Sequence, residues 1–182
     1  MRDPAKRKRF EDTVLMHLDA AYNLARWVLR DESAAEDVVQ DASLRAFRFF
    51  DGMTGPSPKA WFMAIVRNAC RDWIKANRER RLEESYEDES HGLQVARSIH
   101  VTLESPDVAA ERSADARWLR ACILSLPIEF REVIMLREFE ALSYKEISVI
   151  VEVPIGTVMS RLSRGRDLLR QRLLVEQVRR TS

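Results

Sequence analysis

Ser160, Arg161, Ser163 and Arg164 crowd into one short stretch, VEVPIGTVMSRLSRGRDLL, residues 151–169. On a helix turning about 100° per residue, Thr157, Ser160, Ser163 and Arg164 line one side and Arg161 flanks it. Val158, Leu162 and Gly165 fall opposite, with Leu169 continuing that side. An arginine fork can bond a guanine edge at two points, and hydroxyls can bond phosphates or bases. Gly156 weakens the helix slightly but lets another surface come close. The chemistry on offer is recognition of DNA in its major groove. A solvated basic helix could carry the same arginines, so the preceding residues decide between the two.

Those residues are LSYKEISVI. Ser143 and Glu146 have the spacing of a capping box, which starts a helix at Tyr144 whose apolar face is Ile147, Ile150 and Val151. A three-residue turn follows, and Pro154 suits the first turn of the next helix, where its missing N–H has no intrahelical partner. Two short helices around a tight turn outline a helix-turn-helix. Together with the small polar face, this favours DNA binding.

A second basic surface lies earlier, on a helix expected from Pro58 to about Arg80. Trp61, Phe62, Ile65, Ala69 and Trp73 share its apolar side. The other side carries Ala64, Arg67, Asn68, Arg71, Lys75 and Arg78, a spacing that can follow a phosphate backbone, with Asn68 able to bond a base. A plain amphipathic helix would look the same. The helix expected from Ser33 to Asp51 differs. Val38, Val39, Ala42, Ala46 and Phe49 are expected inward, and Asp37, Gln40, Asp41 and Arg48 outward, but Leu44 and Phe47 also fall on the outer side. Apolar residues within an acidic rim suit a basic protein partner rather than DNA. A locally wider core is the alternative.

Groups for catalysis are missing. No Ser/His/Asp arrangement, metal-ligand cluster or phosphate-binding glycine loop is visible, and His17, His91 and His100 are scattered. No catalytic residue, cofactor or metal is expected, and the chain reads as non-enzymatic. Cys70 and Cys122 stand apart from any CxxC, which suits buried thiols in a reducing compartment. Met1 leads into RDPAKRKRFED with no apolar run behind it, so neither a secretory signal nor a membrane span can be drawn. A cytoplasmic protein without membrane contact of its own is expected.

The elements that must position these residues are all helical. In 182 residues there are only 5 Gly and 6 Pro, and apolar residues recur at helical spacing without an alternating strand pattern. At 46% hydrophobic residues the chain can bury a core. A net charge of +1 hides strong segregation. Lys59 to Arg81 holds 7 basic and 2 acidic residues, and Pro154 to Ser182 the same. Between them, Leu82 to Asp115 holds 2 basic and 9 acidic residues. Local clusters of this kind, not the total, attract or repel a polyanion.

One helix is expected from about Phe10 to Arg30. The next starts at Ser33, where Ser33 and Glu36 have capping-box spacing. The turn-rich GMTGPSP separates it from the Pro58 helix. Four helical patterns then run from about Ala114 to Val178. The expected architecture is all-α: two small helical domains, 1–82 and 114–182, joined by a flexible acidic linker, 83–113.

Taken in order, these pieces resemble a sigma factor of the extracytoplasmic-function (ECF) group of the sigma-70 family. DESAAEDVVQDASLRAF is similar to the region that binds the clamp helices of RNA polymerase. GPSPKAWFMAIVRNACRDWIK is similar to the region that opens and reads the minus-ten element. LSLPIEFREVIMLREFEALSYKEISVIVEVPIGTVMSRLSRGRDLL is similar to region 4, which binds the minus-thirty-five element. The resemblance implies that Asp37, Gln40 and Asp41, with the apolar Leu44 and Phe47, bind polymerase. It implies that Asn68 contacts a minus-ten base, with Arg67, Arg71 and Lys75 along the backbone and Met53 in the loop that captures a flipped base. Thr157, Ser160, Arg161, Ser163 and Arg164 would meet the minus-thirty-five element. Core RNA polymerase, promoter DNA and an anti-sigma protein are the implied partners.

Two residues depart from the family pattern. Met53 stands where an aromatic residue is frequent, and Met159 where a basic residue is common, which removes one candidate phosphate contact. Two other readings have distinct consequences. A conventional helix-turn-helix regulator would bind duplex DNA tightly without polymerase. An adaptor or anti-sigma antagonist would bind protein without reading a promoter, and the Arg161 and Arg164 face counts against it.

Overall fold

The computed structural model describes residues 3–87 and 114–181. Among them are eight α-helices and no strand: α1 Pro4–Thr13, α2 Leu18–Leu29, α3 Glu32–Phe49, α4 Pro58–Glu87, α5 Ala114–Leu124, α6 Ile128–Ile134, α7 Tyr144–Val151 and α8 Ile155–Thr181. The linker expected over 83–113 lies outside the described residues from 88 onward, and so do His91 and His100. No helix among the described residues is long and apolar enough to cross a membrane.

The first expected helix is two, α1 and α2, parted by a 3₁₀ turn at Leu15–His17. Helix α3 starts one residue earlier than expected. Its cap is Asp31, whose carboxylate accepts from the Ala34 N–H at 2.9 Å, so Ser33 sits inside the helix and forms no capping box with Glu36. An aspartate in extended backbone already satisfies the free N–H, leaving Ser33 nothing to cap.

Helices α2, α3 and α4 pack into one bundle around Leu24, Val28, Val38, Ala42, Phe62, Met63 and Val66, all buried. Helices α5 to α8 form a second, in which α8 lies on α6. Gly165 makes that approach possible, because a Cβ there would stand 2.7 Å from Ile134 Cδ1. Between α6 and α7 the chain widens into a π-turn at Met135–Phe139, closed by Glu140 N–H donating to Met135 O at 3.2 Å. The two bundles are in contact: α4 packs on α7, and α2 on α6.

Candidate promoter and polymerase surfaces

The helix-turn-helix forms as its sequence dictates. Ser143 Oγ accepts from Glu146 N–H at 3.3 Å while Glu146 Oε2 accepts from Ser143 N–H at 2.9 Å, so α7 begins with both halves of its capping box in place. It ends at Glu152, whose φ of 56° is left-handed, an unusual setting for a residue with a side chain. Pro154 directly precedes α8, and Val158, Leu162 and Gly165 are buried against the bundle. That inner face fixes the rotation of α8 and turns Ser160, Ser163 and Arg164 outward, all exposed. Thr157 and Arg161 are half-buried, and Arg161 Nη1 is buried without a hydrogen-bond partner. Ser160 Oγ donates to Thr157 O at 3.0 Å, leaving its lone pairs for an outside donor.

On α3, Asp37, Gln40, Asp41 and Leu44 are exposed. The two phenylalanines beyond them reverse the sequence expectation. Phe47 is half-buried, its ring edge-on to Phe10 at 5.2 Å with Lys6 above it. Phe49, expected inward, is 68% exposed, and Phe50 takes its place in the core. The cause is α1, which covers the side that helical periodicity alone left open. The outer apolar pair on α3 is therefore Leu44 with Phe49.

The α4 surface is not free. Arg67, expected on an outer face, is only 3% exposed. Its guanidinium lies beside Glu132 Oε1 of α6 at 3.5 Å and donates to Val151 O of α7 at 3.2 Å. Arg71 reaches the other oxygen of the same carboxylate at 3.2 Å. Asn68 Nδ2 donates to Glu152 Oε1 at 3.0 Å. Nearer the start of α4, Lys59 meets the Glu140 carboxylate at 2.8 Å, and Ser57 Oγ donates to Glu146 Oε1 at 2.7 Å. Met53 is half-buried against the core. Asn68, Arg71 and Lys75 keep exposed surface, but only Lys75 makes no contact with the second bundle, being loosely paired with Glu79 of its own helix at 4.0 Å.

The carboxylates that gather α4 were missed in the sequence. Glu132 is completely buried and accepts from Arg71. Its signal was a charged pair, Arg131–Glu132, set directly against the apolar run VIML, because a charge carried into a core is buried only with a partner. Arg131 is buried beside it. Its Nη1 donates to Leu124 O at 2.6 Å, and Arg30, the residue that caps α2, donates to the same carbonyl. Burial and the nearby Arg30 push the Arg131 guanidinium down to about 10, so it stays charged at neutral pH. Desolvation likewise lowers Arg67, opposed by the charge of Glu132.

Comparison with known proteins gives two family matches: Sigma-70 region 2 over residues 13–80 and Sigma-70, region 4 over residues 116–169. The ECF RNA polymerase sigma factor SigW of Bacillus subtilis is 30% identical over 165 residues, covering 90% of this chain and 88% of that protein. SigE of Mycolicibacterium smegmatis is 30% identical over 171 residues, covering 94% of this chain, which spans 64% of that relative's length. Among solved structures, the sigma factor RpoE of Bartonella quintana, in complex with the anti-sigma factor NepR, superposes with a TM-score of 0.69 at 29% identity. That match covers 92% of this chain and 98% of RpoE.

Proposed function

The chain belongs to the ECF sigma factors of the sigma-70 family, and we propose that it binds core RNA polymerase and directs promoter-specific initiation, including recognition and melting of the minus-ten region. The observation that carries this is the presence on one chain of two unlike exposed surfaces. One is the acidic and apolar face of α3, Asp37, Gln40, Asp41 and Leu44. The other is the basic and hydroxyl face of α8, Ser160, Ser163 and Arg164. A regulator acting on duplex DNA alone has no use for the first.

In this reading residues 1–82 hold polymerase and the minus-ten element, 114–182 hold the minus-thirty-five element, and the acidic segment 83–113 joins them. The role is non-enzymatic and cytoplasmic. Melting follows from capture of unstacked bases, which offsets the cost of unpairing. Because Arg67, Asn68 and Arg71 are held by α6 and α7, the two bundles must part before α4 can meet a promoter. The likeness to RpoE, solved with its anti-sigma factor, supports an anti-sigma partner here too.

The test is run-off transcription with purified core polymerase on a library of promoter-like duplexes, comparing wild type with Asp37→Arg and Arg164→Ala. Specific initiation by wild type that is lost in both variants supports the assignment. Tight duplex binding without any initiation would replace it with the conventional regulator.

A further inference from the structure

The first two turns of α8 expose more than polar groups. Ile155 is 44% exposed and Met159 52%. One helical turn apart, they share a ridge. Beside that ridge run Gly156 and Ser160, both small and exposed, and a Cβ added at Gly156 would meet nothing within 4 Å. The ridge therefore stands clear of its neighbours, with room on one flank. The inner face of α8 is fixed by Val158, Leu162 and the close contact of Gly165 with α6, so the ridge cannot rotate into the core.

The polar groups nearby are partly committed. Arg166 is held by Glu138 at 3.1 Å, and the Ser160 proton by Thr157 O. The start of this helix thus offers a groove an apolar ridge, Ile155 and Met159, beside its hydroxyl and basic face. The floor of the major groove carries nitrogen and oxygen edges and one apolar group, the C5-methyl of thymine. Recognition helices of this type contact base edges with their N-terminal residues.

We propose that Ile155 and Met159 form an apolar reader for a thymine methyl in the minus-thirty-five duplex. Ile155 is the stiff, β-branched wall, and Met159 the unbranched side chain that adapts to the methyl. The proposal rests on the reading of α8 as the minus-thirty-five helix. It gives Met159 a base-reading role at the position where the family resemblance implies a phosphate-binding residue.

The experiment uses the full chain assembled with core polymerase and a promoter duplex recovered by run-off transcription. Each thymine of its minus-thirty-five element, on either strand, is replaced singly by deoxyuridine, which removes only the methyl, and equilibrium binding is measured. For wild type, one replacement should weaken binding about fourfold, the equivalent of one methyl group buried. With Met159→Ala or Ile155→Ala, both at exposed positions that spare the core, that replacement should cost little or nothing further. The proposal is overturned if no replacement weakens wild-type binding, if the effect persists undiminished in both variants, or if the element holds no A·T pair. A scrambled element separates this from the parent reading: if scrambling leaves binding unchanged, α8 does not read the element at all.

Discussion

Glu132 does the most at the scale of one residue. Fully buried, it faces Arg67 at 3.5 Å and Arg71 at 3.2 Å, one arginine nearly as buried as itself and the other reaching out to solvent. Removing one member of a buried pair leaves an uncompensated charge, which costs about 3–5 kcal/mol. Glu132→Ala should lower the unfolding free energy by that order in a urea titration. Glu132→Gln, which keeps an acceptor oxygen, should cost less. An unchanged midpoint for the alanine variant would show that water already screens the pair. Cys70 sits in the same neighbourhood. Burial, helped by the charge of Glu132, pushes its thiol up to about 12, so almost no thiolate exists at neutral pH. Iodoacetamide should leave Cys70 unmodified in the folded chain and label it once urea unfolds the protein, as read by peptide mass spectrometry. Labelling of the folded chain at the rate of the unfolded one would contradict that burial.

Helix α7 joins local sequence to long-range packing. Ser143→Ala removes its N-cap and should cost about 1 kcal/mol in thermal or urea unfolding. Glu146 does more than cap. The Ser57 hydroxyl, with help from Ser143, holds its carboxyl below the ordinary value of 4.5. A carboxyl lowered on folding adds stability that is present above its unfolded value and lost as pH falls through the folded one. Acid should therefore loosen this junction below about pH 4.5, and Glu146→Gln should flatten that limb of the pH–stability curve. An unaltered acid limb would remove Glu146 from the cause.

The capping box was legible in the sequence because its signal is local: Ser143 and Glu146 are three residues apart and no competing cap residue directly precedes them. The inner face of α8 was legible for the same reason. The α3 start was misread because Ser33 had the same spacing, while Asp31 already occupied the cap. Phe47 and Phe49 were exchanged because α1 covers one of them, a contact between Phe10 and Phe47 that lies 37 positions apart in the chain and leaves no mark on periodicity. Arg67 followed the helical wheel faithfully. The wheel shows an outer face but not the α6 and α7 surface laid over it.

Across the whole molecule, the interface between bundles is built on charge. Glu132, Glu140 and Glu152 on one side meet Lys59, Arg67, Asn68 and Arg71 on the other. Under the proposed function, Glu132 and Glu152 occupy Arg67, Asn68 and Arg71, the groups assigned there to the minus-ten element, so closure and promoter engagement would compete for the same side chains. Glu152 is where that competition can be probed without damaging the fold. Its backbone is left-handed, a conformation that costs an ordinary residue about 1–2 kcal/mol and glycine almost nothing. Glu152→Gly therefore keeps the turn comfortable while releasing Asn68 and weakening the hold on Arg67. With fluorophores on the exposed positions Arg78 of α4 and Gln171 of α8, the free wild-type chain should show high energy transfer. The signal should fall with added salt, which screens the exposed part of the interface, and fall further when core polymerase binds. The Glu152→Gly chain should start lower and bind a single-stranded minus-ten oligonucleotide more tightly than wild type, with its melting temperature little changed. If it matches wild type in both transfer and binding, Asn68 and Arg67 are not what keeps the bundles together, and the apolar packing of α4 on α7 must hold them instead.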